Sequence, residues 1–527
     1  MQVSDPPEAS HCARPLCAER DASPGCRTAV HLYRGCTIRT CFATTADRSC
    51  PGNILHNSQL PSPAATTLRH AGCPWRFWAY HTLGGAEPVK LAILTQYYPP
   101  EVGAPQSRLS ALAREFVRRG HQVSVLTAMP NYPTGRLHRG YRKMYLREER
   151  DGVRVIRTLI WPTQQTGFVP RLASYFSFVL SAALFGSIYL DAPDYILVES
   201  PPLFLGLTGV LLSRLKRARM VFNVSDLWPE SAVRLGLLRQ GSAAYRLGAS
   251  LERFCYRHAW LVTGQSAEIV SDIRARFPSC ATSHLSNGAD SDAFGADKAT
   301  AESQELLGKN GNCVALYAGL HGLAQGLELL VDGADSLPPD CHLDMVLIGD
   351  GPTKGAIVDR VKRGRIQRVR FLSPRPHRDM PAILAAADVL VVPLVKYIRG
   401  AVPSKLYEAM ASGRPVVLIA EGEAAQIVRQ HDAGMCVAPG DLAGLVQALR
   451  TLSGDADLRA RLGANGRAAA IQFFDRKHIA VKFVELLERQ LHPATGLAVE
   501  NLVPDARQQP GIPLGARQAR ASASLSR

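Results

Sequence analysis

The chain has 527 residues, enough for two or three domains with full cores, and its 46% hydrophobic and 20% charged content excludes a disordered or fibrous protein. A formal net charge of +16 points to acidic partners: nucleic acid, anionic lipid headgroups or a phosphorylated substrate. Only 7% of residues are aromatic, and neither an RNA-binding signature nor a basic region with zipper heptads is present, so nucleic acid is the weakest of the three.

Residues 1–88 differ in character from the rest of the chain. Cys12, Cys17, Cys26, Cys36, Cys41, Cys50 and Cys73 account for seven of the twelve cysteines and stand amid Pro, Ser, Thr and Arg without strand or helix periodicity. No C-x-x-C pair supports a metal site, and no apolar stretch after Met1 supports a secretory leader. The expectation is a disordered or misassigned extension, with the folded protein opening at Val89. Cys255, Cys280, Cys313, Cys341 and Cys436 are scattered singly, as small buried thiols in a reducing compartment are.

From Val89 onward strands alternate with helices. Val89–Thr95 is a continuous apolar run, the pattern of a parallel strand buried on both faces. A turn containing Pro99, Pro100, Gly103 and Pro105 leads to a helix expected over Arg108–Arg119, stopped by Gly120. Further strands are expected at Val123–Thr127, Val153–Arg157, Tyr195–Val198, Met220–Val224 and Trp260–Thr263. Val169–Leu190 is the most apolar segment and is almost long enough for a bilayer. Serines interrupt it and strands flank it, leaving a core helix, a membrane-resting helix and a true span as readings. Basic residues within Tyr141–Arg150 and Leu212–Arg219 favour anionic lipid nearby.

The series pauses at Asn287-Gly288-Ala289-Asp290 and restarts. Strands are expected at Val314–Gly319, Met345–Gly349, Val369–Leu372, Val389–Val392 and Val416–Ile419, then helices over Leu442–Leu452 and Leu458–Leu487. The fold class is therefore α/β: two doubly wound, Rossmann-like parallel-sheet domains facing each other across a cleft at the C-terminal ends of their strands. The domains are placed at 89–288 and 289–474, with a closing helix at 475–491 and a disordered tail at 492–527.

Asp290-Ser-Asp292 has the spacing of a metal clamp but falls at the domain junction, and no metal is assigned to it. No G-x-G-x-x-G or P-loop follows the first strand, and no G-x-S-x-G elbow occurs, against a nicotinamide enzyme, an NTPase or an α/β-hydrolase. Asp226, directly after a strand, either faces the ligand crevice or caps the next helix. The glycines of Gly349-Asp350-Gly351-Pro352 either let a nucleotide approach the backbone or form a plain turn.

Pro403–Ile419 joins a turn, a short helix, a glycine stop and a strand. Lys405 and Glu408 are three apart and share a helix face. With Ser404 as cap, the N–H groups at the helix start and Lys405 make an anion site suited to a diphosphate. Glu408, one turn deeper, could accept both hydroxyls of a ribose.

As a set, Tyr97–Arg108, Asn131–Gly135, Glu199–Pro202, Asp226–Glu230, Asn287–Asp290, Tyr317–Gly326 and Pro403–Pro415 resemble the retaining glycosyltransferases of family 4, which have the GT-B fold. Within that family the chain looks most like the WbuB-type enzymes of bacterial polysaccharide biosynthesis. The resemblance covers residues 89 to about 490. It implies a sugar moved from a nucleotide-diphosphate donor, with retention and without metal or other cofactor, onto a polyprenyl-diphosphate-linked saccharide of an exopolysaccharide or O-antigen. The implied setting is the cytoplasmic face of the inner membrane, held peripherally on its anionic surface, with no nucleic acid partner.

By the same resemblance Asp226, Glu408 and Lys405 are catalytic. Gly103, Gly319, Gly349, Gly351, Ser404, Lys405, Leu406 and Glu408 bind the donor, and Arg108, Asn131, Tyr132 and Glu199 lie on the acceptor side. Three positions depart from the family pattern: Gly400 replaces a Glu, and Leu320 and Gln325 replace an Arg and a Lys. The diphosphate then depends on Lys405, with Lys396 or Arg399 as helpers. Two other readings are a non-hydrolysing UDP-sugar epimerase, which shares the fold, and a degenerate member serving as a scaffold in polysaccharide assembly.

Overall fold

The computed structural model describes residues 88–491 apart from 102, 133 and 164–167. The expected extension before residue 88 and the tail after 491 lie outside the described residues.

The first sheet holds β1 (Lys90–Leu94), β2 (Gln122–Ala128), β3 (Tyr145–Arg150), β4 (Val153–Thr158), β5 (Tyr195–Ser200), β6 (Arg219–Val224), β7 (Leu261–Gly264) and β8 (Thr282–His284). Their order is β3-β4-β2-β1-β5-β6-β7-β8. The second sheet holds β9 (Cys313–Ala318), β10 (Leu343–Ile348), β11 (Val369–Leu372), β12 (Val389–Pro393), β13 (Val416–Ile419) and β14 (Gly434–Val437), ordered β11-β10-β9-β12-β13-β14. Central strands such as Tyr195–Ser200 are buried on both faces, and buried apolar clusters lie on each side of both sheets.

Three strands were not expected from periodicity: β3, β8 and β14. All are sheet edges with a single neighbour, and their sequences (YLREER, TSH, GMCV) carry little apolar alternation. β3 pairs antiparallel with β4, in a sheet otherwise parallel. The first helix, α1 (Ala104–Arg118), starts four residues before the expected Arg108. Pro105 lies in its first turn, where a missing N–H costs no intrahelical bond. The apolar segment forms α2 (Phe168–Tyr189), which packs with α3 (Leu205–Lys216) over one face of the first sheet.

The chain crosses between the lobes twice, side by side. The Ala289 N–H donates to Phe474 O at 2.9 Å and the Arg476 N–H to Ala289 O at 2.8 Å. The Arg476–Leu491 helix then returns to the first lobe, where Phe483, Val484 and Leu487 pack with Leu109, Leu112 and Phe116 of α1.

Candidate active site

In both sheets the strand order reverses at one point, and loops leaving the flanking strands diverge there to open a crevice. In the second lobe that point lies between β9 and β12. The loop after β9 begins at Gly319, and the chain after β12 leads into the Ser404–Ala411 helix. Lys405 is thereby drawn across Gly319, with its Nζ 5.9 Å from the centre of the Tyr317 ring. A Cβ at residue 319 would collide with the lysine's own Cε, and Gly319 also holds a φ of 153° that disfavours side chains. Burial pushes the Lys405 amine below the usual lysine range, opposed by the Glu408 carboxylate. Glu408 Oε1 lies 3.7 Å from His377 Nε2.

Two donor-side expectations need correction. Ser404 is not the cap: it is the first helical residue, and Pro403 occupies the cap position without a side-chain bond. Leu406 is fully buried in the second lobe's core, and its N–H donates to Pro403 O at 2.9 Å. Its side chain anchors the helix in that core. Gly349 and Gly351 have a structural requirement as well. A Cβ on Gly349 would strike Gly319 O, and one on Gly351 would strike the His321 backbone. The loops after β9 and β10 are laced together, with the Gly319 N–H on Ile348 O and the His321 N–H on Asp350 O, both at 2.8 Å.

In the first lobe the reversal lies between β1 and β5. α1 carries Arg108 into it, and β5 delivers Glu199. Arg108 Nη2 pairs with Glu199 Oε1 at 2.6 Å, the two side chains being 3% and 2% exposed. Ser225 Oγ donates to the same carboxylate oxygen at 2.7 Å and Asn223 Nδ2 to the other at 2.8 Å. Arg108 also donates to the Asn287 side chain in the lobe crossing. Arg108 and Glu199, expected on the acceptor side, form a buried ion pair with each other at this reversal. Asp226, next along from Ser225, is pushed up to about 6 by burial and by the Glu199 charge, against the pull of Arg108.

The loop residues are held by a second carboxylate. Glu101 Oε1 accepts the N–H groups of Asn131 and Tyr132, each at 2.8 Å. Asn131 is buried and turns its amide to Met129 O. Tyr132 stays exposed with its ring 5.7 Å from that of Tyr97. Gly103 caps α1 in extended backbone, with Gln106 filling the space beside it.

One departure from the resembled pattern, Gly400, acquires a cause. Gly400 is pressed against Ile269 of the first lobe, where a Cβ would collide, and its N–H donates to Glu268 at 2.9 Å. Arg399 pairs with Asp272 at 2.7 Å across the same lobe contact. Lys396 stays exposed. Asp290 accepts the Asp292 and Ala293 N–H groups, and Asp292 pairs with Lys477.

Several residues of the site were missed by sequence reasoning. His321 is fully buried with both ring nitrogens unpartnered, between the two glycine loops. A histidine bracketed by Gly319 and Gly322 just past a strand was a usable signal. Arg476 donates to Asn287 O and Gly288 O, tying the second crossing to the first. Glu423 accepts the Ala267 and Glu268 N–H groups from the opposite lobe. For Arg476, Glu423 and His377 no local pattern could have served, since their partners are distant in the chain.

Two family profiles match the chain: "Glycosyl transferase 4-like domain" over residues 103–282 and "Glycosyl transferases group 1" over residues 312–455. The chain is 24% identical over 415 residues to the colanic acid biosynthesis glycosyl transferase WcaI of Escherichia coli K12, covering 75% of this chain and 99% of that protein. It is 29% identical over 264 residues to the glycosyltransferase WbjE of Pseudomonas aeruginosa, covering 48% and 64%. Among solved structures, a sucrose-phosphate synthase from Thermosynechococcus elongatus superposes with a TM-score of 0.62 at 19% identity, covering 77% of this chain and 100% of that one. Anabaena HepE, solved with UDP and glucose, gives 0.57 at 21% identity over 76% and 99%.

Proposed function

We propose that this chain is a two-domain GT-B glycosyltransferase that moves a sugar from a nucleotide-diphosphate donor to a lipid-linked saccharide in bacterial cell-surface polysaccharide synthesis. The observation that carries the donor half is Lys405 laid across Gly319 at the strand-order reversal, with Glu408 one turn on. The UDP bound by HepE favours a uridine donor, and the names of WcaI and WbjE favour the polysaccharide setting.

In this reading the diphosphate rests at the start of the Ser404–Ala411 helix, where Lys405 and the first-turn N–H groups stabilise the charge that grows on it. Glu408 holds the ribose hydroxyls. Across the cleft, ionised Asp226 accepts a hydrogen bond from the acceptor hydroxyl and orients it. The bond between the anomeric carbon and the phosphate oxygen breaks with its electrons leaving on the diphosphate. The acceptor oxygen bonds to the same face, which gives retention, and its proton passes to the departing phosphate oxygen. Metal independence is part of the proposal, supported by the engagement of Asp290 and Asp292 with backbone and lysine.

The test is a donor panel with a membrane lipid extract as acceptor, product masses read with and without EDTA. One lipid-linked product mass shifted by a single sugar, formed undiminished in EDTA, is the expected result. Conversion of the nucleotide sugar alone would favour an epimerase, and activity restored only by manganese would end the metal-free reading.

A further inference from the structure

α2 and α3 run parallel over the first sheet. Thr208 Oγ1 donates to Val179 O at 2.9 Å and Lys216 Nζ to Ser187 O at 2.8 Å, while Gly186 lets Leu212 close in. Each helix buries one side: Phe178, Val179 and Ala182 of α2, and Val210 and Leu212 of α3. On their outward sides Leu180, Leu184 and Ile188 stand four apart on α2, and Leu207, Leu211 and Leu215 stand four apart on α3, all between 40% and 68% exposed. Because the helices lie in register, the two rows form one strip about 12 Å long, at a 1.5 Å rise per residue. A strip of this kind is an interaction surface, not scatter.

Its rim is cationic. At the C-terminal end of α2, the Arg147 guanidinium sits 4.8 Å from the centre of the Tyr189 ring, and Tyr145 stacks on Tyr189 at 4.3 Å. Arg142, Lys143 and Met144 are exposed on the same segment, and Arg214 and Arg217 are exposed at the end of α3. Of the acids at this end, Asp191 is matched by Arg154, Glu148 by Arg157 and Asp194 by the Lys90 N–H, while Glu149 is exposed on β3. Near the N-terminal half of α2, the Trp161 backbone N–H donates to Ser177 Oγ and the Trp161 side chain is exposed, an amphipathic ring of the kind membrane interfaces hold.

We propose that this α2–α3 face docks on an anionic lipid bilayer, with the six aliphatic side chains among the acyl-chain ends and the arginines and Lys143 on the headgroups. α2 is long and apolar enough to cross a membrane. Its inner side is part of the first lobe's core, however, so it lies along the bilayer instead of through it. The strip is apolar with a basic rim, a complement to anionic lipid that a neutral protein face would not match. The inference adds a membrane surface to the proposed use of a lipid-linked acceptor, on which it rests, and its test reads binding alone, so either can fail without the other.

The experiment is co-sedimentation of the full chain with phosphatidylglycerol-containing vesicles and with pure phosphatidylcholine vesicles. Wild type is expected to bind the anionic vesicles at least roughly tenfold better. Leu184→Ser/Leu211→Ser and, separately, Lys143→Glu/Arg214→Glu should each weaken that binding by about tenfold or more, with the far-UV spectrum and thermal midpoint retained. The charge pair keeps the test open if the serine variant misfolds. Equal binding to both vesicle types, or variants that bind like wild type, overturns the proposal. So does a wild-type dimer that the serine variant turns to monomer without change in vesicle binding, which would make the strip a contact between two copies.

Discussion

Lys405 and Tyr317 meet across a glycine: the ammonium lies 5.9 Å from the ring centre, and the lysine's methylene arm fills the space a side chain at residue 319 would need. The ring's oxygen is tied back, donating to Leu320 O at 2.6 Å. The end of one strand and the start of one helix thus converge on one cation. Only the chain's path through the sheet brings them together.

Gly319→Ala should therefore displace the Lys405 arm and strain the backbone at a φ disfavoured for alanine. Donor KM should rise by roughly tenfold while the far-UV spectrum is kept. Glu408→Ala should cost about ten- to a hundred-fold in kcat/KM, from a charge-assisted bond of about 1.5–3 kcal/mol, and Lys405→Ala at least as much. Wild-type rates in Lys405→Ala and Glu408→Ala would refute the assignment of the donor site.

The Arg108–Glu199 pair is buried, so removing one partner strands a charge. Arg108→Ala is expected to lower unfolding free energy by about 3–5 kcal/mol in urea titration. Arg108→Met with Glu199→Leu should cost less than either single change, because no lone charge remains. A larger loss in the double variant would contradict that account.

Asp226 must be ionised to accept from a hydroxyl, and its carboxyl is pushed up to about 6. Rate should rise with pH through a limb near 6, and that limb should vanish in Asp226→Asn. For stability the sign is opposite. The native state binds the extra proton between about 3.9, the ordinary aspartate value, and about 6, so this group's contribution falls as pH rises through that window. Asp226→Asn should flatten the stability profile there, which a thermal-midpoint series across pH would read.

Gly400 stands where the resembled pattern has a Glu, against Ile269 and Glu268 of the other lobe. Gly400→Glu should not improve donor use. It should wedge the lobes apart, lowering the thermal midpoint and enlarging the radius of gyration in solution scattering. An unchanged radius with faster transfer would show the residue faces the donor after all.

The fold was legible because buried parallel strands must be apolar on both faces and must alternate with helices. Runs such as Leu91–Leu94 and Val221–Val224 therefore announce themselves locally. Edge strands such as Tyr145–Arg150 escape for the same reason, having one neighbour and a polar face. The sequence likewise determined the local setting of the candidate residues, since Asp226 directly follows a strand and Lys405 and Glu408 share one face of a short helix. It did not determine which charges are free to act. Arg108, Glu199 and Arg399 read as ready ligands in one dimension, yet their partners lie 91 and 127 positions away for the Arg108–Glu199 and Arg399–Asp272 pairs. Burying a charge is tolerable only beside its opposite, and that neighbour is chosen by the order of strands in the sheet and the packing of lobe on lobe. Tertiary structure alone buried Arg108 against Glu199, tied the exposed Arg399 to Asp272 and laid Lys405 across its glycine.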